Sequence, residues 1–178
     1  IDDEKGYNID LGVRTTKSKV FLLDFSLFHL FYNNRIGTVW VTQSNVSNFP
    51  GINSTAPYFQ IRTNVSKSRT YGAELLTEIN WIKLFTNKEA TKRLTTFLNL
   101  STIDARYVSS DEPAYDNKKV ELVPPVTVRT GLSVGNDKFS ASYQFSYVNE
   151  HYSDATNAVT HPHGIVGLIP SYNVMDIS

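Results

Sequence analysis

The sequence predicts an all-β protein whose antiparallel up-and-down strands form part of a transmembrane β-barrel, and three observations carry that expectation. Apolar and polar residues alternate one for one, most cleanly in Phe139-Ser140-Ala141-Ser142-Tyr143-Gln144-Phe145-Ser146-Tyr147, and again from Tyr7 to Arg14 and from Val126 to Val134. Successive side chains of a strand point to opposite faces, so each segment has one oily face and one wet face, the latter carrying Asp10, Arg14, Arg129 and Gln144. The connections between these segments run short, long, medium, long, short, long. Barrels with brief turns at one rim and long loops at the other show that order. Finally, no apolar run approaches the roughly 18 residues of a membrane helix, whereas alternating barrel strands never produce one.

The first strand is read from Tyr7 to Thr16, closed by a tight Lys17-Ser18-Lys19 turn. The second, Val20 to Thr42, carries Phe21, Leu23, Phe25 and Leu27 on one face. Its other face begins polar with Asp24 and Ser26 and then turns apolar at Phe28 and Leu30. Gln43 to Pro57 is a loop rich in Asn, Ser, Gly and Pro. The third strand, Tyr58 to Asn80, sets Tyr71, Ala73, Leu75 and Ile79 against Gly72, Glu74, Glu78 and Asn80, and Trp81 to Lys92 has room for a helical turn. The fourth runs Arg93 to Ser109, followed by an acidic loop, Ser110 to Asn117. The fifth runs Lys118 to Val134, and Gly135-Asn136-Asp137-Lys138 has hairpin-turn composition. The sixth spans Phe139 to Tyr152, a loop runs Ser153 to Leu168, and a seventh strand follows. Several strands exceed the roughly 9–11 residues that cross a bilayer, as expected if they project beyond the outer leaflet.

At 178 residues the chain suits one domain of ordinary size. Lys+Arg and Asp+Glu both number 17, so no net field favours nucleic acid. Cysteine is absent, which removes disulfides, thiolate metal sites and a cysteine nucleophile. Ten Tyr and ten Phe are a heavy aromatic load, suited to a core or to lipid interfaces. The polar opening Ile1-Asp2-Asp3-Glu4-Lys5-Gly6 is no signal peptide, and the chain stops within what reads as another strand. We therefore expect a piece of a longer protein. A soluble secreted β-sandwich binding module is the rival reading; Asn-x-Ser/Thr at Asn45, Asn53, Asn64 and Asn99 would suit it, but Asn99 falls mid-strand.

Several segments resemble TonB-dependent outer-membrane receptors. Lys67-Ser68-Arg69-Thr70-Tyr71-Gly72-Ala73-Glu74 is similar to a recurrent strand opening of these barrels, and Phe31-Tyr32-Asn33-Asn34-Arg35-Ile36 to the end of the preceding strand. Val123-Pro124-Pro125 through Val134, His151 to Asn157, and Gly167-Leu168-Ile169-Pro170-Ser171 resemble, in order and spacing, ferric dicitrate receptors. The resemblance implies a barrel of about 22 strands closed by a plug, of which residues 1–178 would be about seven strands of the C-terminal barrel portion, without the plug. It implies a bacterial outer-membrane location, uptake of a ferric-citrate-like chelate (or haem, a cobalamin or an oligosaccharide), and coupling to TonB through parts missing from this chain. No cofactor is implied.

No catalytic motif appears: no Gly-x-Ser-x-Gly, His-Glu-x-x-His, phosphate loop or Gly-x-Gly-x-x-Gly, so no enzyme is expected. Glu74 and Glu78 share a strand face but stand roughly 13 Å apart by strand rise, too far for paired-carboxylate chemistry. His161-Pro162-His163 lacks the sequence neighbours that would complete a metal site. Gln43, Arg62, Arg69, Arg106, His161 and His163 all fall near the long-loop rim. They are the candidate contacts for an anionic chelate, since arginine grips carboxylates bidentately. Asp104, Asp111, Glu112, Asp116 and Glu121 fall at the same rim, so ion-paired strand extensions are the competing reading.

Overall fold

The computed structural model describes residues 1–17, 20–42, 46–48, 51, 58–86, 91–110, 115–153, 155–158, 160–161 and 164–173. Its strands are β1 (Lys5–Lys17), β2 (Phe21–Thr42), β3 (Tyr58–Asn80), β4 (Arg93–Ser110), β5 (Val126–Gly135), β6 (Ser140–Val148), β7 (His151–Tyr152), β8 (Thr160–His161) and β9 (Gly164–Asn173). A 3-10 turn covers Val46–Asn48, and one short helix, α1 (Trp81–Thr86), fills part of the β3–β4 connection. Seven strands form one sheet in the order β1-β2-β3-β4-β5-β6-β9, and β7 pairs with β8 separately. Every pairing is antiparallel. This is the meander the loop order predicts.

Three strand limits differ from the sequence reading. The fifth strand begins at Val126 rather than Lys118. Pro124 and Pro125 have no N–H to give a ladder, and Leu122 takes a left-handed φ of 59°. Residues 118–125 instead fold back along β4. The sixth strand ends at Val148, where Asn149-Glu150 interrupts it, and His151–Tyr152 joins the small β7–β8 sheet. The last strand starts at Gly164, inside the segment read as loop.

Registers assign every side chain to a face, because directly opposed residues share one. One row reads Val13, Phe25, Leu75, Leu100, Val128, Tyr147 across β1 to β6. The next row on that face reads Leu11, Leu27, Ala73, Thr102, Val126. The opposite face holds Arg14, Asp24, Leu76, Asn99, Arg129 and Ser146 in one row. The apolar face is open: Leu11 is 72% exposed, Leu27 45% and Tyr143 48%. Among the described residues the only other sheet is the β7–β8 pair, so no second layer covers these side chains as a sandwich requires. A contiguous exposed apolar face of this extent is what lipid covers. From Phe21 to Phe31 the band spans about 33 Å of strand, or about 25 Å of height at barrel tilt, the expected apolar thickness.

The polar face is a lumen wall. Arg14 is ion-paired with Asp24 across β1 and β2, with Nε 2.7 Å from Oδ2, and Ser133 hydrogen-bonds Ser142 at 2.9 Å. The Arg14 side chain is 71% exposed, so Arg14→Ala should change unfolding free energy by less than about 1 kcal/mol; denaturant titration of the refolded receptor checks this. The apolar intrusion at Phe28 has a local cause. Phe28 faces Gly72 across the β2–β3 ladder, and its ring occupies the space a Cβ at Gly72 would take. Phe97 lies over Gly131 in the same way. Ring-over-glycine contacts pin register where the sheet must bend.

The rims separate as the loop order implies. One carries the β1–β2 turn, where Val20 N–H donates to Lys17 O at 2.6 Å, although Ser18 and Lys19 lie outside the described residues. It also carries α1 and the β5–β6 hairpin, where Asn136 Oδ1 accepts from Lys138 and Phe139 N–H at 2.9 Å each. The long connections lie at the other rim. β2 and β3, at 22 and 23 residues, rise well past the band toward it.

Candidate functional site

The long-loop rim carries a packed cluster on the lumen side. Ala105 and Tyr107 of β4 are buried with Tyr115 and Val120, and Ile61, Ile103, Val123 and Ala155 pack against them. The folded-back segment 118–125 builds it: Val120 N–H donates to Ala105 O at 3.0 Å, Lys118 O accepts from Tyr107 N–H at 2.9 Å, and Pro125 O accepts from Ile103 N–H at 2.9 Å. Asn157, with φ 58°, clips the next loop on. Its side chain accepts from Lys119 N–H and donates to Lys119 O, each at 2.8 Å. Leu122 N–H donates to Tyr152 O at 2.8 Å.

Within this cluster Tyr107 O–H donates to Glu121 Oε2 at 2.7 Å, and the Arg35 guanidinium stands 5.6 Å from the centre of the Tyr107 ring. Arg35 reaches that position because β2 carries a bulge between Tyr32 and Ile36, with Asn34 at φ 53°. Asn64 braces the bulge by donating to Asn34 O at 2.7 Å, and Glu4 accepts from Ile36 N–H at 2.9 Å.

Burial first, then the hydrogen bond to Glu121 and the charge on that carboxylate, push the Tyr107 phenol above the usual tyrosine range. Its neutral form therefore contributes stability that is complete below about pH 10, the ordinary tyrosine value, and is lost as pH rises through the elevated folded value. Tyr107→Phe should abolish that alkaline loss and cost about 1 kcal/mol at neutral pH, because the partly exposed Glu121 regains water. Unfolding of both proteins across the alkaline range reads this out.

The four candidate contacts that are described, Arg62, Arg69, Arg106 and His161, do not form one group. Arg69 and Arg106 oppose each other directly, in the row Phe31–Arg69–Arg106, which belongs to the lipid-facing side. Arg69 lies over the Tyr71 ring at 5.0 Å, and Arg106 binds Asp104 at 3.1 Å. Arg62 is exposed opposite Thr38; its neighbour Ile61 packs on the lumen-side cluster, so strand alternation sends Arg62 outward as well. The distance of these arginines from the rim is legible in the sequence; Arg69 and Arg106 keep the outward face by unbroken alternation with the band, whereas the side taken by Arg62 depends on the register shifts at 32–36. His161 lies opposite His151 in β7–β8, a neighbour far away in sequence. Gln43 and His163 lie outside the described residues. Among the described residues no cluster of His, Asp or Glu could hold a metal ion.

Sequence reasoning missed Arg35, Tyr107 and Glu121 as a lumen-side group. Tyr107 and Glu121 lie fourteen positions apart, on a strand and a fold-back, and no spacing motif links them to Arg35. Glu74 and Glu78 are where the alternation put them, on the lumen face of β3, in rows with Ser101 and Phe97.

Comparison with characterised proteins finds no match to any curated sequence. The family model for TonB dependent receptor-like β-barrels matches residues 1–178. Transport across the bacterial outer membrane, powered through TonB, is the work of that family. Its barrel wall has the architecture found here, with lipid outside, polar residues inside and long loops at one rim, and this chain belongs to the TonB-dependent receptor β-barrel family.

Proposed function

We propose that this wall is part of the closed barrel of a receptor that imports a ferric chelate bearing carboxylates. The observation that carries the reading is the family match over the whole chain, joined to a sheet with one lipid face and one polar lumen face. Residues 1–178 then form a C-terminal portion of the barrel. The plug and the TonB contact belong to parts outside this chain, and the ligand passes through chemically unchanged, with no enzymatic step. The ferric-chelate reading is supported by the likeness of three segments to ferric dicitrate receptors, and by a cation on the lumen side of the rim, Arg35.

The proposed ligand surface is the long-loop rim, where loops on a rigid scaffold form concave sites. Gln43, His161 and His163 are kept as proposed contacts, and Arg35 is added. Arg62, Arg69 and Arg106 enter only if a loop brings ligand over the outer edge. In the full-length receptor, Arg35→Ala should weaken ferric citrate binding about tenfold or more, the worth of one hydrogen bond to a charged group, while Arg62→Ala leaves it unchanged. Binding of haem, a cobalamin or an oligosaccharide in place of ferric citrate would overturn the ligand and keep the transporter. Uptake that persists without TonB would overturn the transport reading itself.

A further inference from the structure

We infer that the outer surface at the top of the apolar band, built on Arg69, Arg106 and Lys119, holds the phosphate-bearing headgroup of an outer-leaflet lipid. Three adjacent segments contribute one cation each to a single row. Arg69 opposes Arg106 in the β3–β4 ladder, and Arg106 opposes Lys119 through an isolated antiparallel bridge. Lys119 follows the outward face, since the next residue, Val120, is buried in the lumen-side cluster. Lys67, two residues above Arg69 on β3, is exposed.

Like charges directly opposed across a ladder repel. The compensation here is incomplete. Asp104 binds Arg106, while among the described residues no carboxylate lies within ion-pair distance of Arg69 or Lys119. Glu121, the nearest acid in sequence to Lys119, is engaged by Tyr107 on the other side of the wall. A row of excess positive charge persists where an anion from outside the chain neutralises it.

The position in the wall says which anion. Tyr7 continues this row on β1, opposite Phe31, and His29 and Tyr71 stand immediately below it. The three form an aromatic tier, in which Tyr7 meets His29 edge-on at 5.7 Å and His29 stacks on Tyr71 at 4.5 Å. Aromatic rings of this kind sit at the headgroup level of a bilayer. The cations therefore stand where lipid phosphates are, about 25 Å above the Phe21 end of the band. Guanidinium groups bind phosphate bidentately, and the lysine adds a point charge. The long-loop rim is the extracellular one in such barrels, which assigns the lipid to the outer leaflet.

The test uses the full-length receptor in phosphatidylcholine micelles, titrated with a bis-phosphorylated glycolipid. Retained lipid is counted by native mass spectrometry. Wild-type receptor should retain the lipid, and the Arg69→Gln/Arg106→Gln/Lys119→Gln variant should bind it at least about tenfold more weakly. Arg14→Gln, on the lumen face, should bind it normally. Equal retention by the triple variant, or equal retention of the dephosphorylated glycolipid, would overturn the proposal. Displacement by inorganic phosphate at matched concentration would also overturn it, since the row would then be a free-anion site. Should the triple variant fail to fold, Lys119→Gln alone decides: it lies outside the regular strands, and unchanged retention there refutes the row. Ferric citrate binding by Lys119→Gln, a residue outside the proposed ligand surface, should be unchanged, so this result stands apart from the ligand assignment.

Discussion

Leu27→Arg is expected to lower the stability of the receptor in lipid by about 2–4 kcal/mol, the cost of a cation on the lipid face near mid-bilayer. Leu27 sits between Leu11 and Ala73 in its row, midway along the apolar band, and is 45% exposed without lipid. In water an exposed leucine replaced by arginine costs almost nothing. The neighbouring change Ser26→Arg puts the same charge on the lumen face, opposite Gly12 and Glu74, and should be nearly neutral. Denaturant unfolding of the full-length receptor in vesicles, followed by heat-modifiable gel mobility, measures both. Equal costs at the two positions would mean that the faces have been assigned wrongly. A neutral Leu27→Arg would mean that water, not lipid, covers this side.

Gly131→Val should cost about 3 kcal/mol, the upper end of the overpacking range. A side chain at this position meets the Phe97 ring on one strand and the Tyr143 carbonyl oxygen, 2.8 Å from an ideal Cβ, on the other. The ring can turn; the carbonyl belongs to the β5–β6 ladder and cannot move without breaking pairing. Phe97→Ala should therefore relieve only part of the penalty in the double variant. Gly72→Val is the useful contrast, because its nearest obstacles are all atoms of the Phe28 ring. Phe28→Ala should relieve most of the cost there. Equal rescue at both glycines would show that the ring, not the backbone, limits Gly131. The readout is again unfolding free energy, compared through double-mutant cycles.

The rim shows where sequence reading stops. Alternation carried the strands of the band to within a few residues, because below the rim each face meets one environment, and polarity then reports orientation directly. Above the band both faces meet water or loops, and that report disappears. Arg62, Arg69 and Arg106 were legible as rim residues; unbroken alternation carries Arg69 and Arg106 outward, yet the side of Arg62 was set by bulges that reverse the alternation of one strand against its neighbour. The Pro124-Pro125 pair was visible too, but the fold-back of residues 118–125 needs the partners it finds on β4.

What the sequence by itself determined was the all-β class, the meander, the separation of rims, and a lipid face from Tyr7 to Tyr147. These follow from period-two patterning and loop length, both local properties of the chain. Only the tertiary structure decided the pairing of Phe28 with Gly72 and Phe97 with Gly131, and the meeting of Arg35, Tyr107 and Glu121. It also decided the alignment of Arg69, Arg106 and Lys119 in one outward row. Each depends on ladder register, and the Arg35 group on the bulge in β2 as well. Those are fixed by contacts between strands far apart in sequence, so no window of the chain contains them.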